Sequence, residues 1–457
     1  MLKAMPLFEK YGKFIIFGSL FLAAVGFFDK AVAAGVFILA LLVIMTVSFS
    51  FRLGIKEKEF HLLFLIIILL HFLGVLFIYY YHFYPFGGGE GDQFYYHKTA
   101  VDLSERFRQG DFSIRGFDEI YPYYYVPHFY PVLVGILYAI TIPEIIIGQI
   151  LNVWITALSI MILYLIAKEI SGSAKRAFLI GLVAGLYPSY FYFGSLLIRD
   201  AIIVFLSLFL LLLMLKMVKK FSWVNFFFFF LLQGFLMHFR FYIGLVTLST
   251  FIFAYFWFFR IELKKKIALG AVILLFLAVL PVISANQGLF GIDFFKKFIN
   301  QETITSLREK EYQSNPSNNS LSLPGSDVIV KTGFDNPSKF IKNSFESFLY
   351  VSLGPFPWQI KYNRQLFSLV EMIPGYFLAF LILKGVFKNL KDYKIIFPLL
   401  FFSLVSLFAI SVFVSNFGTY MRIRIPALLA LLALADFAFL NSVIETFKNK
   451  ARIMLKK

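Results

Sequence analysis

The chain has 457 residues, 60% hydrophobic and only 15% charged, with 62 phenylalanines, no cysteine and a mean hydropathy of +0.80. An average soluble domain is about 25% charged, so these values exclude a soluble enzyme, a disordered tail and a disulfide scaffold, and leave an all-α polytopic membrane protein. The net charge of +17, from 43 Lys and Arg against 26 Asp and Glu, then reads as the positive bias of cytoplasmic loops, and no nucleic-acid partner is expected.

A membrane helix needs about 20 mostly apolar residues, and by that rule the chain predicts about 12 spans. They fall near 13–28, 31–50, 60–80, 145–167, 177–196, 201–217, 223–239, 241–259, 267–285, 367–387, 395–414 and 425–445. Asp29-Lys30 separates the first two, which read as a tight hairpin. The N-terminal segment has no small-residue cleavage site before a polar stretch, so it reads as a retained helix. Basic clusters recur in alternate loops: Arg52/Lys56/Lys58, Lys168/Lys175/Arg176, Lys216/Lys219/Lys220, Arg260/Lys264/Lys265/Lys266, Lys384/Lys388/Lys391/Lys394 and the Lys448–Lys457 tail. That alternation predicts both termini in the cytoplasm and two long loops, 81–144 and 286–366, on the extracytoplasmic side of a plasma membrane.

The first loop opens on Gly87-Gly-Gly-Glu90-Gly-Asp92-Gln-Phe-Tyr95-Tyr96-His97. Glycine lets the backbone turn sharply and approach a ligand. Two carboxylates at this spacing can share a hard divalent cation such as Mg or Mn, with phosphate oxygens completing its shell. Alternatively, one acid can serve as a general base on an acceptor hydroxyl. Asp92 can also simply cap the helix that continues through Ala100 and Leu103. The glycines are not a phosphate-binding loop of the Lys-Ser/Thr type, because that ending is missing. His97, about one helical turn past Asp92, is an accessory candidate. Further along, Tyr121–Pro127 has the aromatic composition of headgroup depth, and Tyr130–Ile142 is an apolar run too short to span.

Arg199-Asp200 falls on the same side by topology. Asp200 there can add a third acid to a metal site, or the pair can satisfy itself between two helices. Arginines on that side break the charge rule: Arg106, Arg108, Arg115, Arg199, Arg240, Arg364, Arg422 and Arg424. Guanidinium binds phosphate bidentately and stays charged at membrane depth. Arg240, Arg422 and Arg424 therefore need an anionic partner, either lipid headgroups or, the reading favoured here, a lipid-linked phosphate, and Arg422 and Arg424 share a face only if their segment is extended. Glu371, near the outer end of a span, is expected to snorkel, and Asp436 reads as structural. Gly354-Pro-Phe-Pro-Trp358 reads as an interfacial anchor closing the second loop.

The run Gly91-Asp92-Gln-Phe-Tyr95-Tyr96-His-Lys-Thr-Ala100, the Pro-rich aromatic stretch after it and the hairpin Leu186-Tyr-Pro188…Leu196-Leu-Ile-Arg199-Asp200 resemble the GT-C superfamily of integral membrane glycosyltransferases. The resemblance covers roughly 60–260. It divides the chain into an N-terminal hairpin (1–59), a GT-C-like core (60–285) containing the first loop, a second loop (286–366) and C-terminal spans with a basic tail (367–457). It implies a polyprenyl-phosphate-linked sugar donor, a saccharide, lipid or protein acceptor, and transfer with inversion. Asp92 matches the first-loop catalytic acid, with Glu90 its partner. Asp200 falls where several such families place a metal-binding acid. Arg199, Arg240, Arg422, Arg424, Tyr95 and His97 would hold substrate. Other readings are an O-antigen-type polymerase or ligase, and a transporter or flippase for lipid-linked saccharides. A transporter should carry midplane charges and internal repeats.

Overall fold

The computed structural model describes residues 20, 23–84, 92–112, 129–259, 261–284, 337–360, 363–413 and 417–437. All regular structure among them is helical. The order is α1 (Lys30–Arg52), α2 (Lys58–Tyr81), α3 (Asp92–Arg108), α4 (Phe129–Ile140), α5 (Ile145–Ser171), α6 (Ala174–Gly185), α7 (Pro188–Gly194), α8 (Asp200–Lys219), α9 (Trp223–Phe239), α10 (Phe241–Trp257), α11 (Leu263–Ser284), α12 (Pro337–Leu353), α13 (Asn363–Lys388), α14 (Tyr393–Phe413), α15 (Phe417–Ile423) and α16 (Ile425–Leu432). Glu90, Arg115, the Tyr121–Pro127 run and the Lys448–Lys457 tail lie outside the described residues.

The count of about 12 spans is not confirmed, and most of the first expected span (13–28) lies outside the described residues. Among the described residues six helices are long and apolar enough to cross a membrane, or seven if one bent pair is counted as a single span. Several of the other expected spans are locally interrupted or short. The stretch 177–196 breaks between α6 and α7 by 68°, because Pro188 has no N–H to donate and Tyr187 before it is extended (φ −61°, ψ 118°). α9 and α10 have 17 residues each, about 25 Å of helix against an apolar core of about 30 Å. The run expected to span 425–445 leaves helical geometry after Leu432.

α5 and α8 form the centre of the bundle. α5 packs against α1, α2, α6 and α8, and α8 also meets α9, α10, α14 and α16. A helix surrounded on all sides must satisfy every polar group internally. α5 does this at Ser159, whose hydroxyl donates to the Ile155 carbonyl (2.9 Å), and at Asn152. At one end of the bundle Lys168 pairs with Glu57 and Lys219 with Glu169 (2.6 Å). These pairs gather the start of α2 and the ends of α5 and α8 together. The opposite end therefore collects the start of α8, the α9–α10 junction, α3 and α15.

α9 and α10 are joined by Arg240 alone, in extended geometry (φ −157°, ψ 94°). The tight return is fixed by Gln233, which donates to the Gly244 carbonyl at 2.6 Å. Gly244 is required there, since a Cβ would lie 2.5 Å from Met237 Cγ. The turn aims the Arg240 side chain at the N-terminus of α8.

Candidate functional site

Two carboxylates and two guanidiniums meet at this end of the bundle. Asp92 is the first residue of α3 and Asp200 the first of α8, positions where the helix macrodipole favours negative charge. Arg240 Nη1 donates to Asp200 Oδ1 at 2.9 Å. Arg422, on α15, donates through Nη1 to Asp92 Oδ2 at 2.7 Å and sets its Nε 3.3 Å from Asp200 Oδ2. One guanidinium thus links both acids, and the four groups balance in charge. Arg240 also lies over the Tyr242 ring, 5.7 Å from its centroid.

Accessibility divides the cluster. The side chains of Asp200 and Arg240 are each 6% exposed, whereas Arg422 is 20% and Asp92 39% exposed. The inner pair is a sealed support. Asp92 and Arg422 are the partly exposed members of the cluster.

Buried polar side chains hold the segment that delivers Asp200. Asn152 donates to the carbonyls of Leu196 (2.5 Å) and Ile198 (2.7 Å), and Tyr130 donates to Asn152 Oδ1 (3.0 Å). The Leu197 N–H donates to Gln93 Oε1 at 3.0 Å, tying this segment to the residue after Asp92. Tyr96, one turn further along α3, is buried, and burial pushes its hydroxyl up to about 12, so it stays protonated. None of Asn152, Gln93, Tyr130 or Tyr96 was singled out from the sequence. The available signal was Asn152, an amide in the middle of an apolar run.

The other expected site residues go elsewhere. Tyr95 is on the exposed side of α3, edge-on to Phe94. His97 turns to α4, its Nδ1 2.9 Å from the Tyr138 hydroxyl, and burial lowers its pKa. Arg199 is the N-cap residue of α8 and adds its charge beside Tyr96 and Asp200. Both Asp200 oxygens go to Arg240 and Arg422, so the reading of a self-satisfied Arg199–Asp200 pair does not describe this carboxylate. Arg108 donates to the carbonyls of Tyr138, Ala139 and Thr141, capping the C-terminal end of α4.

The expected arginine pair diverges. The segment carrying Arg422 and Arg424 is helical up to Ile423, not extended, so the two side chains leave in different directions. Arg424 is fully buried and pairs with Glu371 at 2.7 Å. Glu371 correspondingly does not snorkel; it is buried inside the bundle, against the cavity described below. Asp436 is paired with Lys388 at 3.0 Å.

Among the described residues, the set does not fit a divalent ion. Such an ion takes about six oxygen ligands. Here the two acids are turned onto guanidiniums, and among the described residues no group of three His, Asp or Glu side chains could hold a metal. Glu90, expected to pair with Asp92 in holding the ion, lies outside the described residues.

A mostly apolar cavity of about 590 Å³ lies between α2, the α6–α7 bend, α13 and α15. Leu70, Phe77, Phe191 and Val370 line it, as does Met421, the residue before Arg422. Leu73, Phe77 and Val370 are exposed on its rim, so it opens toward the face the surrounding lipid would cover.

Residues 126–284, from α4 to α11, match the family described as dolichyl-phosphate-mannose-protein mannosyltransferase. The match supports a membrane glycosyltransferase of the GT-C type. It contains Asp200 and Arg240 and stops short of Asp92 and Arg422, the two accessible members of the cluster. No curated protein matches the chain.

Proposed function

We propose that this chain transfers a sugar from a polyprenyl-phosphate-linked donor to an acceptor hydroxyl at the extracytoplasmic face, with inversion at the anomeric carbon. The observation that carries this reading is the Arg422 guanidinium held between Asp92 and Asp200.

Asp92 is the accessible carboxylate and serves as general base. It takes the acceptor proton as the acceptor oxygen forms its bond to the anomeric carbon. The carbon–oxygen bond to phosphate breaks on the opposite face, and the phosphate keeps the electron pair. Arg422 stabilises that charge. It is planar, permanently charged and already oriented, so little reorganisation accompanies bond breaking. Removing one such donor costs about 2.7–4 kcal/mol in transition-state stabilisation. The sealed Asp200–Arg240 pair fixes Arg422 from behind, with Asp200 the positioning residue.

The cavity next to Met421 supports a lipid donor, because its apolar wall would take the chain while the phosphate meets Arg422. The polar cluster lies at helix termini at one end of the bundle, unlike the midplane charges of a transporter. The test is transfer by purified protein from a polyprenyl-phosphate sugar, wild type against Asp92→Asn. Transfer by the wild type that the variant lacks supports the proposal. Transfer by both removes Asp92 from the chemistry.

A further inference from the structure

Arg424 is two residues from Arg422 and makes no approach to the acids of the site. Its guanidinium is instead a four-way junction. Nη1 donates to the carbonyls of Val351 (2.7 Å) and Gly354 (3.1 Å), at the C-terminal end of α12. Nη2 donates to Glu371 Oε1 on α13 (2.7 Å). The other oxygen of Glu371 accepts the Ser189 N–H of α7 at 2.9 Å. The negative end of the α12 dipole and one carboxylate together balance the buried cation. The backbone on either side of Arg424 continues the helical pattern, with its N–H donating to Tyr420 and its carbonyl accepting from Leu428. Fixing the Arg424 head therefore fixes the α15–α16 junction from which Arg422 projects.

We propose that Arg424, locked by Glu371, is a positioning residue that sets where Arg422 stands between Asp92 and Asp200. It also ties that position to α12, the helix within the second long loop. Arg424 itself does not touch substrate. The inference rests on the catalytic reading above for its kinetic consequence, but its geometric part can be tested separately.

The experiment is a double-mutant cycle on the full chain: wild type, Glu371→Gln, Arg422→Ala and the combination, measured as kcat/KM for the lipid-linked donor. Glu371→Gln keeps an oxygen for the Ser189 N–H and removes the charge facing Arg424. Positioning predicts a loss of about tenfold on the wild-type background and little further loss once Arg422 is gone, because the two changes act through one side chain. An equal factor on both backgrounds overturns the proposal.

A second readout needs no turnover. Asp92 is partly exposed and covered by Arg422, so labelling of Asp92 by a water-soluble carbodiimide, followed by peptide mass spectrometry, reports whether Arg422 is in place. Glu371→Gln should raise the labelling toward that of Arg422→Ala. Labelling unchanged from wild type overturns the proposal. Raised labelling in a protein whose wild type transfers no sugar separates the two readings: positioning stands and the transferase reading fails. A lone buried charge can prevent folding. Should Glu371→Gln not fold, the pair Glu371→Leu with Arg424→Met removes both charges and takes the same measurements with the same outcomes.

Discussion

Asp92 and Arg422 are 330 positions apart in the chain and meet at 2.7 Å. The contact joins the first turn of a short polar helix to a seven-residue helix near the C-terminal end. Each group keeps part of its surface accessible while the Asp200–Arg240 pair beneath is sealed. On the proposed mechanism, a reactant arriving here would displace the Asp92–Arg422 contact and find a base and a cation already facing each other.

Replacing Asp92 with Asn should therefore abolish most transfer while preserving the fold. The amide oxygen can still accept from Arg422, so the contact survives without its charge. General-base catalysis is worth about 10²–10⁴-fold, and the loss should lie in that range with little change in melting temperature. A variant with wild-type kcat would show that another group takes the proton.

Arg422 and Asp200 should separate activity from stability. Arg422→Ala removes a partly exposed donor and should cost activity by about 10²–10³-fold. Asp200→Ala leaves Arg240 buried without its partner, and breaking such a pair costs about 3–5 kcal/mol. Its signature is a lower melting temperature and poorer recovery of folded protein in detergent. Equal melting temperatures for the two variants would contradict the division into an accessible and a sealed pair.

The sequence made the membrane class legible and singled out four residues that the structure brings together, and the reasons are physical. An apolar chain with few charges has to be a membrane bundle, and each ionisable residue left at an apolar end stands out. Asp92, Asp200, Arg240 and Arg422 were all found that way. Partners were not legible. Arg422 and Arg424 look equivalent in a string, and only the turn of α15 sends one to the acids and the other to Glu371. Glu371 reads as a snorkelling residue until the Arg424 head, itself held by the carbonyls of Val351 and Gly354, closes on it. The break at Pro188 divides a stretch that composition alone counts as one span, and the 17-residue helices on either side of Arg240 are shorter than a span requires.

Transfer should be insensitive to chelation. The two acids of the cluster face guanidiniums, and Arg422 stands between them where a shared cation would have to sit. Dialysis against EDTA should leave the rate unchanged, and added Mg or Mn should not raise it. A rate that collapses on chelation and returns with one of these ions would restore the metal role expected for Asp92, Asp200 and Glu90.

The cavity should discriminate donors by their chains. Leu70→Trp puts an indole into the space beside α7 without touching the charged cluster. Losing the burial of two methylene groups, at about 0.8 kcal/mol each, raises KM about tenfold. The rise should be seen with a long polyprenyl donor and be absent with a truncated one, at similar kcat. A KM unchanged for both donors would place the chain elsewhere.

His97 should make stability depend on pH. Burial beside Tyr138 lowers its pKa from the ordinary value of 6.5, so the folded protein holds it neutral while the unfolded chain takes up a proton as pH falls through 6.5. The unfolded state then binds more protons in the window just below 6.5, and stability falls there as pH is lowered. Melting temperatures of detergent-solubilised wild type and His97→Gln, measured from about pH 8 to about pH 5, test this. Gln can keep a hydrogen bond to the Tyr138 hydroxyl and does not titrate, so the decline below 6.5 should be shallower in the variant. Parallel curves would mean that other groups set the pH dependence.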